Sequence, residues 1–398
     1  MERFHLDATT PEATAQCARA LAACLHKGEW VALAGIVGAG KTHFARAAIH
    51  YLIGADEIVP SPSFTLVQYY AHILHADFYR ISDPHEIGEL GIIEDLPTHI
   101  GFIEWAENAA QDNEDLSISP SLSPSLSPSI SLGQADYHVM LQFPENSKNS
   151  EDKSEDTRII TIDASPPRLA ALRHHYDRQC QIDNFLATHN FAAYSRHIIA
   201  GDASGRSYQR LIKADTNKES VGSVILMDWQ IGQDTQDIYN GGIDYVRAAR
   251  LAEDTPAMCR IMKTLASHIN VATIYAADEA AGLVLAQDFG TATLATTPEA
   301  ARPPIYLEAI ETLLTLHTIP DFTPDFLGAY DGAVCAHEAS LFVAWYLPYR
   351  GINITEEAAK AWHKLWQTLG DELYATTKAT IILRDYHSVN LHWQNCAA

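Results

Sequence analysis

The hydrophobic pattern opens on a helix. Apolar residues recur at Ala15, Ala18, Leu21, Ala22 and Leu25, the three-and-four spacing of one helix face, and Gly28 stops it. Thr9 or Thr10 can cap its start, Pro11 suits the first turn, and Glu12 favours the positive end of the dipole. Glu29–Ala34 reads as a short buried strand, followed by a glycine-rich turn and a helix from about Lys41 to Leu52. Phe64–Tyr70 and Ile73–Tyr79 predict two more strands, His85–Leu90 a helix, and Gly101–Trp105 a strand. From Ser117 to Ser131 every odd position is serine, and Pro120, Pro124 and Pro128 would remove donors from any sheet ladder. Residues 117–133 are therefore expected to be an extended, solvated insertion. Tyr137–Phe143 and Arg158–Ala164 then predict a hairpin, joined by the acidic stretch Pro144–Thr157, that returns to the first domain.

The pattern changes near Pro166–Tyr176. A helix over Arg178–Thr188 precedes strand-like runs at Ile198–Ala200, Ser207–Lys213 and Ser223–Asp228, and beyond about Tyr306 the segments are mostly helical. Ile381–Leu383 is a short apolar run before a polar motif. Two domains are expected, 1–168 and 169–398, the first α/β with a central sheet and the second α+β and two-lobed. Trp345, Tyr346, Trp362 and Trp366 sit at helical or near-helical spacing and are expected in a core.

The length, 398 residues, allows two or three domains, and 47% apolar with 19% charged residues is ordinary globular composition. The formal net charge of −23 repels phosphate backbones, which argues against independent nucleic-acid binding. Six scattered cysteines make neither a disulfide framework nor a paired metal motif. No apolar stretch is long enough to span a membrane and the amino terminus lacks a signal-peptide pattern, so the expected location is the cytoplasm.

The chemistry enters at Gly35-Ile36-Val37-Gly38-Ala39-Gly40-Lys41-Thr42, which fits G-x-x-x-x-G-K-[ST] between a predicted strand and a predicted helix. Small residues, Gly35, Gly38, Ala39 and Gly40 among them, let successive backbone N–H groups point inward at the β-phosphate, and a side chain at Gly40 would block that approach. Lys41 brings a positive charge to the β and γ oxygens, and the Thr42 hydroxyl can ligate Mg²⁺. ATP and Mg²⁺ are the expected ligands. Asp77 and Glu104 end two other predicted strands. Each could be a solvated strand-end acid, but in a parallel sheet both ends face the same ligand edge, which makes them candidates for metal and phosphate chemistry.

Four motifs in order then resemble the TsaE family, small P-loop ATPases of the bacterial complex that makes threonylcarbamoyladenosine in tRNA. They are Gly35–Thr42, the stretch Ser61-Pro62-Ser63-Phe64-Thr65-Leu66-Val67, the motif His75-Ala76-Asp77-Phe78-Tyr79-Arg80, and Ile103-Glu104-Trp105, within roughly residues 5–165. The resemblance implies that Lys41 and Thr42 hold phosphates and Mg²⁺, that Asp77 assists the metal, and that Glu104 positions or activates water. It implies a switch-like place near the γ-phosphate for Thr65, and partners similar to TsaD and TsaB that would contact the tRNA. Ile36 stands where the family carries aspartate, and Ser63 where it carries threonine.

The second block resembles aminoglycoside phosphotransferase-like kinases, above all those acting on N-acetylmuramate and N-acetylglucosamine. The matching pieces are Asp202–Leu211, Leu226-Met227-Asp228, Gly282–Gly290, and Leu383–Leu391. In the last, Asp385 and Asn390 have D-x-x-x-x-N spacing. The resemblance implies that Asp385 accepts the substrate hydroxyl proton, that Asn390 ligates Mg²⁺, and that the turn at Asp202–Arg206 covers nucleotide phosphates. The family's later D-F-Q-D-A-like motif has no counterpart before Ala398, so an incomplete and inactive kinase-like domain is expected. Three functions follow: an ATPase of the tRNA-modifying complex fused to that domain, an ATP-dependent amino-sugar kinase, or a nucleotide-gated binding module.

Overall fold

Phe4–Ala8 forms the first strand, β1, with Phe4 and Ala8 buried and His5 and Asp7 exposed, an alternation too short to stand out in the sequence. Helix α1 (Pro11–Ala22) follows, its end capped by Thr10, whose Oγ1 accepts from the Ala13 amide at 3.1 Å. Strand β2 (Trp30–Ala34), buried along nearly all its length, leads through the glycine loop into α2 (Lys41–Ile53). Then come β3 (Val67–Tyr70), β4 (Ile73–Asp77), α3 (His85–Glu89), α4 (Ile92–Asp95), β5 (Ile100–Glu104), β6 (Tyr137–Gln142) and β7 (Arg158–Asp163). The computed structural model describes residues 3–54, 57–83, 85–109, 134–144, 156–199, 206–213, 222–229, 248–250, 255–319, 324, 326–378 and 380–393. The serine-proline repeat, most of the acidic loop after β6, and Asp202–Gly205 lie outside them.

The first sheet has the order β1-β7-β6-β2-β5-β4-β3. Its middle strands β6, β2, β5 and β4 run parallel, while β3, β7 and β1 add antiparallel edges. Strand β3 starts at Val67 rather than Phe64 because Leu66 turns through φ 63°, a left-handed conformation that breaks the ladder. The β6–β7 hairpin read from the sequence is present. Leu33, Phe44, Phe102 and Leu141 join a core beneath α1 and α2, and Leu74, Phe78 and Ile103 another on the opposite side of the strands.

The chain divides into two compact units, 1–198 and 199–398. That division lies beyond the expected 168/169 boundary because α5 (Pro166–Thr188) is one continuous helix whose Leu169 and Leu172 join the core beneath α1. Asp183 on α5 accepts from Gln16 at 2.8 Å and from Arg19 at 3.1 Å.

Around the division stands β8 (Tyr194–Ile199), followed by β9 (Arg206–Lys213), β10 (Ser223–Trp229), α6 (Thr255–Leu265), β11 (Ile274–Asp278) and β12 (Leu283–Gln287). The second sheet runs β11-β12-β10-β9-β8, with β9/β10, β10/β12 and β11/β12 antiparallel. Helices α7 (Arg302–Thr318), α8 (Gly332–Leu341) and α9 (Glu356–Thr376) complete the unit. α8 and α9 approach so closely that a Cβ on Gly370 would stand 2.7 Å from Gly332 Cα. Trp345, Tyr346 and Trp366 are not core: they are 43%, 47% and 37% exposed. In the apolar run before the polar motif, Ile381 is buried with Leu265 and Leu316.

Candidate functional site

The loop from Gly35 to Gly40 sits at the carboxyl ends of the parallel strands, where α/β sheets gather ligands. Gly35 has φ 136°, and a Cβ there would lie 2.3 Å from the Leu141 carbonyl oxygen of β6, so the strand can turn into the loop only without a side chain. Gly40 caps α2 with φ 104°. Lys41, at the first turn of α2, folds back over the loop. Its Nζ donates to the carbonyls of Gly35 at 2.7 Å and Ile36 at 3.1 Å and lies 4.0 Å from the centre of the Trp105 ring. Burial pulls the ammonium below its ordinary pKa, while Glu104, Glu107 and Asp77 oppose that drop. Glu107 moves the other way, its carboxyl lifted by burial and countered by Lys41.

The two strand-end acids meet at this edge. Asp77 and Glu104 are register partners on the parallel pair β4 and β5, both buried. Thr42 Oγ1 donates to Glu104 Oε2 at 3.0 Å, so the hydroxyl of the loop and a carboxylate 62 residues away form one unit. The other oxygen, Oε1, accepts from His75 Nε2 at 3.0 Å, with His75 fully buried and its Nδ1 without a described partner. Asp77 is held separately: Ser63 Oγ donates to its Oδ2 at 2.5 Å and the Tyr79 amide to its Oδ1 at 2.9 Å. Lys41, Thr42, Asp77 and Glu104 thus converge as the motif order suggests. Thr65 does not join them; its hydroxyl is exposed and accepts from Gln68 at 3.2 Å.

Three participants escaped the sequence reading. His75 and Ser63 lie inside quoted motifs, yet nothing in their spacing says that they grip Glu104 and Asp77. Trp105 follows Glu104 with φ 57°, a strained conformation for a bulky residue that aims its ring at Lys41. Among the described residues no group of three or more His, Cys, Asp or Glu could hold a metal. The donor set is instead a hydroxyl, carboxylates and a turned-in loop, which suits a hard cation that keeps waters and takes phosphate oxygens.

In the second unit, Asp385 and Asn390 are both exposed on one loop, and Asn390 Nδ2 donates to the Asp385 carbonyl at 3.1 Å. The loop is pinned on either side. Leu294 and Ala295 amides donate to the Leu391 and Ser388 carbonyls. Arg384, at φ 47°, donates to Glu338 and, at 2.6 Å, to the Ala249 carbonyl. The turn expected to cover phosphates there falls mainly in residues outside the description. On the sheet, Arg210 clasps Asp288 through two bonds of 2.6 and 3.2 Å. Burial alone would lift the Asp288 carboxyl, but bonds from Arg210, Ser223 and the Gly290 amide hold it below the usual carboxylate range.

Comparison with known proteins divides the chain in the same way. The TsaE family, described as threonylcarbamoyl adenosine biosynthesis protein TsaE, matches residues 8–125, and the phosphotransferase enzyme family matches residues 196–397. The tRNA threonylcarbamoyladenosine biosynthesis protein TsaE of Rickettsia bellii is 42% identical over 100 residues, covering 24% of this chain and 69% of that protein. Its namesake from Bacillus subtilis is 33% identical, over 27% of this chain and 68% of its own length. The N-acetylmuramate/N-acetylglucosamine kinase of Caulobacter vibrioides is 29% identical over 242 residues, 54% of this chain, and the match spans 63% of the kinase. A crystal structure of YdiB from Bacillus subtilis aligns with 45% of this chain and 97% of its own at 21% identity and a TM-score of 0.30. No helix among the described residues is long and apolar enough to cross a membrane.

Proposed function

From a chain that belongs to the TsaE family through its first unit and to the phosphotransferase enzyme family through its second, we infer an ATP-hydrolysing component of the machinery that forms threonylcarbamoyladenosine in tRNA, fused to a kinase-like domain. The observation that carries this reading is the 3.0 Å bond from Thr42 Oγ1 to Glu104 Oε2 at the mouth of the glycine loop.

The residues suit a magnesium–nucleotide complex. Lys41 would exchange the Gly35 and Ile36 carbonyls for phosphate oxygens, a swap of neutral acceptors for charged ones that strengthens its bonds. Thr42, donating its proton to Glu104, would keep its oxygen lone pairs for Mg²⁺, and Asp77, fixed by Ser63 and the Tyr79 amide, would assist in holding that ion. Mg²⁺, when bound, neutralises charge on the β and γ oxygens. Glu104 orients or deprotonates the attacking water, and His75 keeps its carboxylate from rotating away. Thr65 stays a candidate for a switch residue reaching the γ-phosphate. Ile36, Val37, Phe64 and Tyr79 are exposed apolar side chains beside the site, suited to partners similar to TsaD and TsaB. Such partners would contact the tRNA, which the acidic chain itself repels, and hydrolysis would reset the complex.

Phosphate release in the presence of those partner proteins tests this. Lys41→Ala and Glu104→Ala should each lower hydrolysis at least about 100-fold while Asp385→Ala leaves it unchanged. Hydrolysis that survives both first-unit substitutions rejects the reading. The second reading, phosphorylation of an amino sugar, is favoured by the pinned loop that brings Asn390 to Asp385. In that role Asp385 would accept the sugar hydroxyl proton and Asn390 would ligate Mg²⁺. It requires labelled phosphate to appear on N-acetylmuramate or N-acetylglucosamine, and none at high enzyme concentration excludes it.

A further inference from the structure

Beyond residue 125, where the TsaE match ends, strand β7 opens with Arg158, whose guanidinium reaches the outer side of the glycine loop. Its Nε donates to the Ala39 carbonyl at 3.0 Å and its Nη2 to the Gly38 carbonyl at 3.4 Å, while Nη1 donates to the Thr157 carbonyl at 2.9 Å. The guanidinium carbon lies over the Phe143 ring, 4.2 Å from its centre, so the head is held by an aromatic face as well as by bonds. A Cβ built on Gly40 would contact Leu141 Cδ2 at 3.8 Å and Arg158 Nε at 4.0 Å, so the β6–β7 hairpin backs the loop directly.

Two cations therefore grip the loop's carbonyls, and they grip different ones. Lys41 holds Gly35 and Ile36; Arg158 holds Gly38 and Ala39. A peptide unit is planar and trans, so a carbonyl fixed toward Arg158 sends the N–H of the same unit, that of Gly40 for the Ala39 carbonyl, in the opposite direction. When Lys41 turns to a phosphate, it releases its two carbonyls. Arg158 has no such duty and remains.

We propose that Arg158 is the positioning residue that keeps the glycine loop in its nucleotide-receiving shape, delivered by the hairpin that closes the first sheet; this rests on the reading of that loop as an ATP site. It acts through backbone, so the effect belongs in binding rather than in the chemical step. In the full chain with ATP and Mg²⁺, Arg158→Gln should raise the Kd about 10- to 50-fold, with kcat at saturating ATP changed less than about threefold. Arg158→Lys, whose single ammonium can replace only part of the fork, should recover part of the affinity. Hydrogen exchange of the Ala39 and Gly40 amides should quicken in Arg158→Gln without nucleotide. Lys41→Ala measures the share of binding that belongs to this loop rather than to the second unit. A wild-type chain without Lys41-dependent binding overturns both the ATP-site reading and the inference. Lys41-dependent binding that Arg158→Gln leaves intact overturns the inference alone. Should Arg158→Gln fail to fold, Phe143→Leu, which removes the ring beneath the guanidinium, is expected to weaken binding in the same sense, and unchanged affinity in that variant overturns the inference.

Discussion

The first unit and the second differ in what they bury. Among the described residues, the largest fully buried side chains, including Tyr137, Phe44, Phe78 and Phe102, all belong to the first unit. In the second, α9 carries Leu365, Trp366, Leu369 and Leu373 along a helical stripe that is exposed, and α7 exposes Leu307, Ile310 and Leu314. Both units carry readable catalytic motifs. In the first, Lys41, Asp77 and Glu104 are buried, and hydrogen bonds tie Thr42 of α2 and His75 of β4 to Glu104 of β5. In the second, Asp385 and Asn390 stand in solvent on a pinned loop. Chemistry at a site needs groups held by their surroundings, and the contrast is between acids held by buried side-chain bonds and exposed side chains on a loop held mainly through its backbone and Arg384.

The sharpest test of the contrast sets one buried ring against one exposed side chain. Phe102→Ala should destabilise the first unit by about 3–5 kcal/mol, whereas Leu373→Lys should cost no more than about 0.5 kcal/mol, read by denaturant unfolding. Equal losses would mean that the α9 stripe is covered in solution. Next, Glu104→Gln should lower phosphate release by about 10²–10³-fold while leaving the melting of the second unit unchanged. A smaller effect follows from His75→Phe. Leaving Glu104 Oε1 without its donor in a buried position costs about 1–2 kcal/mol, or about tenfold in kcat, measured by steady-state kinetics.

The pH dependence separates the units more gently. Lys41 titrates below the ordinary 10.5, and phosphate needs its charged form. ATP affinity should therefore start to fall at a pH at which an ordinary lysine would remain charged, by a few-fold, as seen by titration calorimetry. In the second unit Asp288 and Asp331 lie below the model-peptide 3.8; for Asp331 burial pushes upward, but the Val334 amide and Arg250 prevail. A carboxyl depressed on folding contributes stability above its unfolded pKa and loses it as pH falls through the folded value. Acid unfolding of the second unit should thus steepen below about pH 3.8, and Arg210→Met should flatten it.

Much of this was legible beforehand because it is local. The glycine loop, the strand–helix context, a threonine cap at Thr9 or Thr10, the β6–β7 hairpin and the order of the motifs all depend on short-range preferences and chemistry written into neighbouring residues. The amino acids alone determined which residues stand in the glycine loop and which acids end strands. Long-range packing decided the rest. It carried α5 into the first unit, gave Glu104 to Thr42 and His75, gave Asp77 to Ser63, turned Thr65 away, and brought Arg158 back across the loop. It also left Trp345 and Trp366 exposed despite their helical spacing. Spacing can say that a face is apolar, but whether that face is buried, or which carboxylate meets which hydroxyl, depends on partners distant in the chain that meet only when the sheet closes.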